Sequence, residues 1–123
     1  MQLYVPLNSG APSHDATAAF ARAVGALLAK ETPALVTTVM AKARRPGKVF
    51  VDWSQNNAAK TTVAPYALRA RPQPWVSTPV TWDEVAACRK PPDLQFVAGR
   101  TLERVEQHGD LWKPLLGKGS KLP

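Results

Sequence analysis

A single carboxylate, Asp52, lies within the most basic stretch of the sequence. Residues 32–82 contain seven of the 16 lysines and arginines but only this one of the nine acidic residues. Clustered cations attract polyanions through counterion release, and nucleic acid is the commonest such partner. A carboxylate among them is either a structural ion-pair partner or a ligand for the divalent metal ions of phosphate chemistry, and the residue types alone leave both interpretations open. The cations are Lys42, Arg44, Arg45, Lys48, Lys60, Arg69 and Arg71.

Other common catalytic arrangements do not occur in the sequence. It contains no Asp-x-Asp pair, no Gly-x-Gly-x-x-Gly or Walker loop and no Gly-x-Ser-x-Gly motif. His14 and His108 are far apart, and a single cysteine, Cys88, excludes a multi-cysteine zinc site and an internal disulfide framework. Because phosphoryl transfer with two metal ions needs more than one carboxylate, the remaining cluster corresponds to part of a nucleotidyl-transfer site without its principal metal ligands. That cluster comprises Arg45, Lys48, Asp52, Gln55, Lys60, Arg69 and Arg71.

The composition restricts the class of protein further. The 123 residues carry a net charge of +7, and 45% of them are hydrophobic, which suffices for a folded core. No apolar run approaches the roughly 18 residues of a membrane helix, and the N-terminus lacks the basic and apolar regions of a signal peptide. The expectation is a soluble, cytoplasmic protein without a membrane partner. Its basic segment is either a polyanion-binding surface or a solvated face.

A long helix is expected to precede the basic segment. Ser13 or Asp15 predicts its N-terminus, and the pattern continues to about Lys30. Apolar residues recur on one face at helical spacing, and this stripe is expected to pack in the core. The stripe consists of Phe20, Ala23, Val24, Leu27 and Leu28.

The basic segment itself is expected to consist of short elements. A short helical piece is predicted over residues 34–43. The Thr81-to-Glu84 spacing predicts a capping box that opens a short helix to about Cys88. Extended segments or strands are predicted at residues 2–7, 48–53, 66–71 and 75–78.

The last part of the chain predicts one more helix and a tail. A helix over residues 101–108 is expected to turn Leu102 and Val105 inward and to end at a glycine. The charged residues of 100–106 are interpreted as a solvated helix face, and residues 117–123 as a loose tail. Taken together, the elements predict an α+β fold of short strands flanked by helices.

The run Gly47 to Arg71 is the most specific motif of the sequence and includes Lys-Val-Phe-Val-Asp-Trp-Ser-Gln-Asn and Pro-Tyr-Ala-Leu-Arg-Ala-Arg. This run and several other segments resemble the primase-polymerase domain of bacterial ligase D, which serves end joining and belongs to the archaeo-eukaryotic primase superfamily. The similarity covers nearly the whole chain. The matching segments are residues 44–56, 60–72, 76–85, 102–105 and 108–111.

This resemblance implies a template-dependent polymerase that fills gaps at DNA ends, uses Mn²⁺ or Mg²⁺ and is cytoplasmic and nucleoid-associated. Asp52 matches the third metal-binding aspartate of the family, and Arg69 matches an arginine that contacts the incoming triphosphate. Arg71 neighbours it in the same motif, and Gln55 matches a polar residue near the nucleotide. Arg45 matches a basic residue that helps to position metal and primer–template. With Lys48 and Lys60 it forms the implied DNA-binding set.

The sequence also departs from the family pattern. The family domain is longer, and its Asp-x-Asp motif and its Ser-Gly-x-Lys-Gly loop do not occur here; Gln2 stands where many members have His. We therefore expect residues 1–116 to form the C-terminal half of such a domain, with residues 117–123 as a tail, and expect it to be inactive alone. The implied partners are DNA ends, nucleoside triphosphates, a separately encoded N-terminal half, a ligase and Ku proteins. The alternative is a non-catalytic basic remnant that binds DNA or nucleotides.

Overall fold

The structure, a computed structural model, describes residues 1–10 and 12–123. The chain divides into two compact units. Every helix in the described residues is too short or too polar to cross a bilayer. The Asp52 unit comprises Leu7–Thr62 and Ser120–Pro123, and the Arg69 unit comprises Met1–Pro6 and Val63–Gly119.

The long helix of the Asp52 unit, α1, spans His14–Glu31. The Ser13 hydroxyl oxygen accepts a hydrogen bond of 3.1 Å from a backbone N–H of the first turn, which satisfies a donor that has no partner within the helix. At the other end the backbone N–H of Thr32 donates to the carbonyl of Leu28 at 2.9 Å. The predicted helix is therefore confirmed, with Ser13 as its cap.

Two strands that follow α1 lie parallel to each other. They are β1 (Val36–Thr37) and β2 (Val49–Phe50), with Val36 opposite Val49. The prediction of a helical piece over residues 34–43 is wrong. Its β-branched residues favour extended backbone and pair with β2 instead, and the helical backbone there is limited to a 3₁₀ turn at Lys42–Arg44.

The close packing of α1 against the chain around Asp52 depends on a glycine. α1 contacts β1 and a 3₁₀ turn at Trp53–Gln55. Gly25 is buried, and a Cβ at this position would lie 2.9 Å from Thr38 Cγ2 and 3.1 Å from Val51 Cγ1. Any larger residue would push the helix away from Val51, the neighbour of Asp52. The strand predicted over residues 48–53 is shorter than expected, because the chain turns at Trp53.

The apolar stripe of α1 does not form a core within the described residues. Phe20 and Leu27 expose 42% and 54% of their surface, so the expectation of core packing is wrong. The reason is that α1 meets its neighbours through Gly25. Phe96 is the one buried hydrophobic side chain in the part of the chain that the structure describes. The accessible surface is 9388 Å², against about 6,500 Å² for a folded monomer of this mass.

The Arg69 unit is built on a two-stranded antiparallel pair. β3 (Leu68–Arg69) lies beside β4 (Trp75–Val76), with Arg69 opposite Trp75. These pairs confirm the extended structure predicted there at 68–69 and 75–76, whereas Tyr66 lies in a turn and Arg71 in a bend. The strand predicted at residues 2–7 is wrong, because this segment pairs with no strand; it is held instead by Tyr4, whose ring meets Trp112 edge-on at 4.7 Å.

Two helices of this unit enclose a charged pair. The predicted capping box is confirmed: Glu84 N–H donates to the Thr81 hydroxyl at 3.2 Å, and the Glu84 carboxylate accepts from Thr81 N–H at 2.8 Å. The Arg104 guanidinium binds both oxygens of the Glu84 carboxylate and donates to the Pro79 carbonyl at 3.2 Å. It also lies over the Phe96 ring at 4.6 Å. The helices are α2 (Trp82–Ala87) and α3 (Ala98–His108).

The buried face of α3 differs from the predicted one. Leu102 and Val105 are exposed, and Thr101 and Arg104 are buried instead. Arg104 lies on the buried face because its guanidinium pairs with the Glu84 carboxylate. Thr101 lies there because its hydroxyl is within 3.0 Å of the Thr78 hydroxyl. The interpretation of residues 100–106 as a solvated face is therefore wrong for Arg104.

Candidate functional site

Asp52 lies two residues after the end of β2 and immediately before the 3₁₀ turn at Trp53–Gln55. Its side chain is partly exposed. The Ser54 hydroxyl donates to Oδ1 at 2.6 Å, and the Gln55 amide donates to Oδ2 at 3.2 Å. Two neutral donors from the next three residues therefore hold the carboxylate in one orientation.

The same contacts keep Asp52 ionised. The hydrogen bond from Ser54 lowers the pKa of Asp52 most strongly; burial opposes it, and Gln55 and the charge of Lys60 lower it further. The net pKa lies below its ordinary value of 3.8. Asp52 forms no salt bridge among the described residues. It therefore carries a full negative charge near neutral pH without a cation bound to it.

Two predicted DNA-binding cations of this unit are fixed by local contacts. The Arg45 guanidinium lies 3.7 Å from the centre of the Phe50 ring and donates to the carbonyl of Met40. Its buried Nε has no hydrogen-bond partner. The Lys48 ammonium donates to the carbonyl of Pro33 at 2.5 Å. The Arg45 guanidinium thus packs against the ring of Phe50, which lies on β2 two residues before Asp52.

The remaining predicted site residues lie at exposed positions. Lys60 follows the polar loop of the Asp52 unit and acts on Asp52 through its charge. Arg69 stands on β3 in the other unit, and Arg71 follows it in a bend. The structure therefore brings Asp52 and Gln55 into direct contact within one unit and places Arg69 and Arg71 together on another segment.

Ser54 is the site residue that the sequence reasoning missed. It contacts Asp52 more closely than Gln55 does. The available signal is the Asp-x-Ser spacing, because a hydroxyl two residues after a carboxylate is well placed for a local side-chain hydrogen bond in a tight turn.

The number of carboxylate ligands around Asp52 decides whether the described residues can form a divalent metal site. An aspartate oxygen is the ligand type that Mg²⁺ and Mn²⁺ prefer. Within residues 1–10 and 12–123, however, no three His, Cys, Asp or Glu side chains come together to hold a metal ion. One carboxylate is too few for a two-metal centre. The described residues do not form such a centre by themselves.

The fold matches part of a polymerase domain. The chain superposes on a solved structure described as the polymerase domain from Mycobacterium tuberculosis ligase D in complex with DNA, with a TM-score of 0.78 and 42% identity. The match covers 88% of this chain and 37% of that one. The predicted α+β primase-type class is confirmed.

The sequence comparison identifies the family. Residues 1–112 match the model of the LigD primase-polymerase domain, and the chain belongs to this family. It is 48% identical over 116 residues to the multifunctional non-homologous end joining protein LigD of Mycolicibacterium smegmatis, covering 94% of this chain and 15% of that protein. It is 28% identical over 109 residues to the bifunctional LigD of Bacillus subtilis, covering 89% of this chain and 18% of that protein. The resemblance stated from the motifs is confirmed, and the chain spans less than a fifth of these relatives.

Proposed function

We propose that this chain supplies part of a primase-polymerase that fills gaps at DNA double-strand breaks by template-dependent nucleotidyl transfer. The observation that carries the proposal is the Asp52 carboxylate, which is ionised, oriented by Ser54 and Gln55 and in no salt bridge within the described residues. A carboxylate held in a salt bridge has its charge neutralised within the fold, as Glu84 has by Arg104. One that is kept charged and open is suited to bind a metal ion.

The metal ions in this proposal are Mn²⁺ or Mg²⁺, with Asp52 as one ligand. The other carboxylates must come from outside these 123 residues, because the described chain brings no second one near Asp52. The family's Asp-x-Asp motif is the source we propose. Residues 1–116 then act as the C-terminal portion of the catalytic domain, and 117–123 as a tail, with little activity without the complementary portion.

The basic residues bind the two polyanionic substrates, the incoming nucleoside triphosphate and the DNA. Arg69 binds the incoming triphosphate, with Arg71 and Gln55 beside the nucleotide. Arg45, Lys48 and Lys60 contact DNA, and the relative solved in complex with DNA supports this role. A ligase and Ku proteins complete the proposed set of partners. The proposed location is the cytoplasm, in association with the nucleoid.

Primer extension with Mn²⁺ tests the proposal. The 123-residue chain is assayed alone and mixed with a polypeptide that carries the family's Asp-x-Asp portion. We expect little or no extension from the chain alone and extension on mixing. Asp52→Asn should reduce the rate in the mixture at least about 100-fold, since a metal ligand contributes no less than the groups around it. The matched control is Asp83→Asn, an exposed carboxylate on α2.

Three results would contradict this function. Extension by the chain alone would show that one carboxylate suffices, and an unchanged rate in Asp52→Asn would remove Asp52 from the site. A mixture that never extends, under conditions where the intact domain of a relative does, would also argue against it.

The second candidate function is a non-catalytic DNA- or nucleotide-binding remnant. Its support is the charge of residues 32–82 together with the missing second carboxylate. It requires DNA binding that weakens with salt and with Arg69→Ala or Arg45→Ala, while Asp52→Ala has no effect on binding or on extension by the mixture.

A further inference from the structure

Tyr66 has an unusual backbone conformation. Its φ of +62° is the one positive value at a non-glycine residue in the described chain. A Cβ disfavours this left-handed region, so an aromatic residue stays there only where surrounding contacts impose it. Such outliers occur most often at functional sites. Tyr66 lies three residues before Arg69.

The contacts that hold Tyr66 come from distant parts of the Arg69 unit. Its hydroxyl donates to Asp110 Oδ1 at 2.7 Å, across 44 residues of sequence. Its backbone N–H donates to the Ser77 carbonyl at 2.7 Å, and Ser77 N–H donates to the Ala67 carbonyl at 2.9 Å. The Tyr66 side chain therefore joins the start of the β3–β4 pair to the segment after α3.

Asp110 is itself fixed as an acceptor. Its Oδ1 also accepts the backbone N–H of Trp112 at 2.9 Å. The hydrogen bond from Tyr66 is the largest cause that lowers the pKa of Asp110. The pKa of Tyr66 is raised, first by burial and then by the hydrogen bond to Asp110 and the charge of Asp110. Near neutral pH the tyrosine is therefore a donor and the aspartate a charged acceptor, so the bond keeps one direction.

Arg69 needs such an anchor because the strand that carries it is short. β3 has two residues, and β4 is its one strand partner among the described residues. The bridge from Val76 to Phe96 supports β4 and does not reach β3, and so short a ladder is marginally stable in water. The Arg69 side chain is exposed and forms no salt bridge among the described residues. Its direction therefore depends on how the chain enters β3, and that entry is the turn at Tyr66.

We propose that Tyr66 is a positioning residue, which through its hydrogen bond to Asp110 fixes the turn that aims Arg69 at the triphosphate of the incoming nucleotide. The inference rests on the proposed function for the role of Arg69. The hydrogen bond and the turn are independent of it.

Hydrogen exchange of the 123-residue chain tests the anchor alone. Tyr66→Phe and Asp110→Ala both remove the bond, whereas Asp110→Asn keeps an oxygen that can accept it. We expect amides in residues 66–77 to exchange about fivefold faster in the first two variants, the scale of one lost hydrogen bond. We expect much less change in Asp110→Asn and none in α1. Unchanged exchange in Tyr66→Phe, or equal acceleration in α1, would overturn the inference.

A double-mutant cycle with Mg²⁺–ATP as the probe tests the action through Arg69. Tyr66→Phe should weaken ATP binding about fivefold in the wild-type background and have no further effect beside Arg69→Ala. The matched control for arginine loss is Arg89→Ala, an exposed position elsewhere in the unit. An equal effect of Tyr66→Phe in both backgrounds would make it merely structural and contradict the proposal.

The two arms separate the possible failures. If the wild-type chain does not bind ATP while exchange responds as expected, the role of Arg69 in the proposed function fails and the anchor stands. If ATP binds through Arg69 but exchange does not respond, the proposed function stands and the role of Tyr66 fails.

Discussion

The two units of the chain treat their partly buried carboxylates in opposite ways. Glu84 is bound by the Arg104 guanidinium through both of its oxygens, and its charge is neutralised within the fold. Asp52 receives two hydrogen bonds from neutral groups and forms no salt bridge within the described part of the chain. Both carboxylates are ionised, but only the charge of Glu84 is paired directly with a cation. The difference fits a stabilising role for Glu84 and, in the function proposed above, a metal-binding role for Asp52.

The largest effect on stability is expected from Arg104→Met. This change removes the cation from a partly buried pair and leaves the Glu84 charge without its partner. We expect the free energy of unfolding to fall by about 3 kcal/mol, as for other broken buried pairs. Urea unfolding followed by circular dichroism measures it. Asp52→Asn is the matched comparison and should change the value by less than about 1 kcal/mol; a loss equal to that of Arg104→Met would remove the distinction between the units.

The next largest effect is expected on the pH dependence of stability, through the ion pair of Glu84 and Arg104. Burial alone would raise the pKa of Glu84, but the hydrogen bonds from Arg104 and Thr81 and the charge of Arg104 lower it below its ordinary 4.5. A carboxyl group with a lowered pKa in the folded state stabilises the fold above its unfolded pKa, and that contribution is lost as the pH falls through the folded value. Wild-type stability should therefore decline below about pH 4.5, the unfolded pKa of a glutamate.

The variant Glu84→Gln identifies the source of this decline. It should be less stable at neutral pH and show a flatter dependence between about pH 5 and pH 3, because it has no proton to gain. Equally steep curves for the variant and the wild type would assign the acid effect to other carboxylates.

The smallest expected effect concerns the groups around Asp52. Ser54→Ala removes the hydrogen bond that lowers the pKa of Asp52 most, so that pKa should rise toward its ordinary value of 3.8. Carbon-detected NMR titration of the side-chain carboxyl measures the shift directly. Asn56→Ala, a neighbouring change whose side chain bonds to the Trp53 carbonyl, is the control and should leave the titration unchanged. A pKa that is the same in Ser54→Ala and the wild type would contradict the assigned cause.

Features that depend on neighbouring residues could be predicted from the sequence. The Thr81–Glu84 capping box, the Ser13 cap and the glycine end of α3 at Gly109, with its φ of +70°, all follow from spacings of three or four residues or from one residue type. The family could be predicted as well, because the motif from Gly47 to Arg71 is continuous in the chain.

Features that depend on distant partners could not be predicted. Arg104 has the spacing of a solvated residue, and only its contact with Glu84, 20 residues away, places it inside. The apolar stripe of α1 shows the reverse case: its helical spacing is correct, but Gly25 makes the close contact and the stripe stays exposed. The hydrogen bond between Tyr66 and Asp110 leaves no local pattern in the sequence at all.

The most direct test of the account compares Asp52→Asn and Glu84→Gln in both assays, unfolding and Mn²⁺-dependent primer extension by the mixed polypeptides. Asp52→Asn should abolish extension with little change in the free energy of unfolding. Glu84→Gln should lower the free energy of unfolding and extend primers at temperatures where it remains folded. Extension that survives Asp52→Asn, with Mn²⁺ present and the chain folded, would contradict the central claim that Asp52 is a metal ligand of a polymerase site.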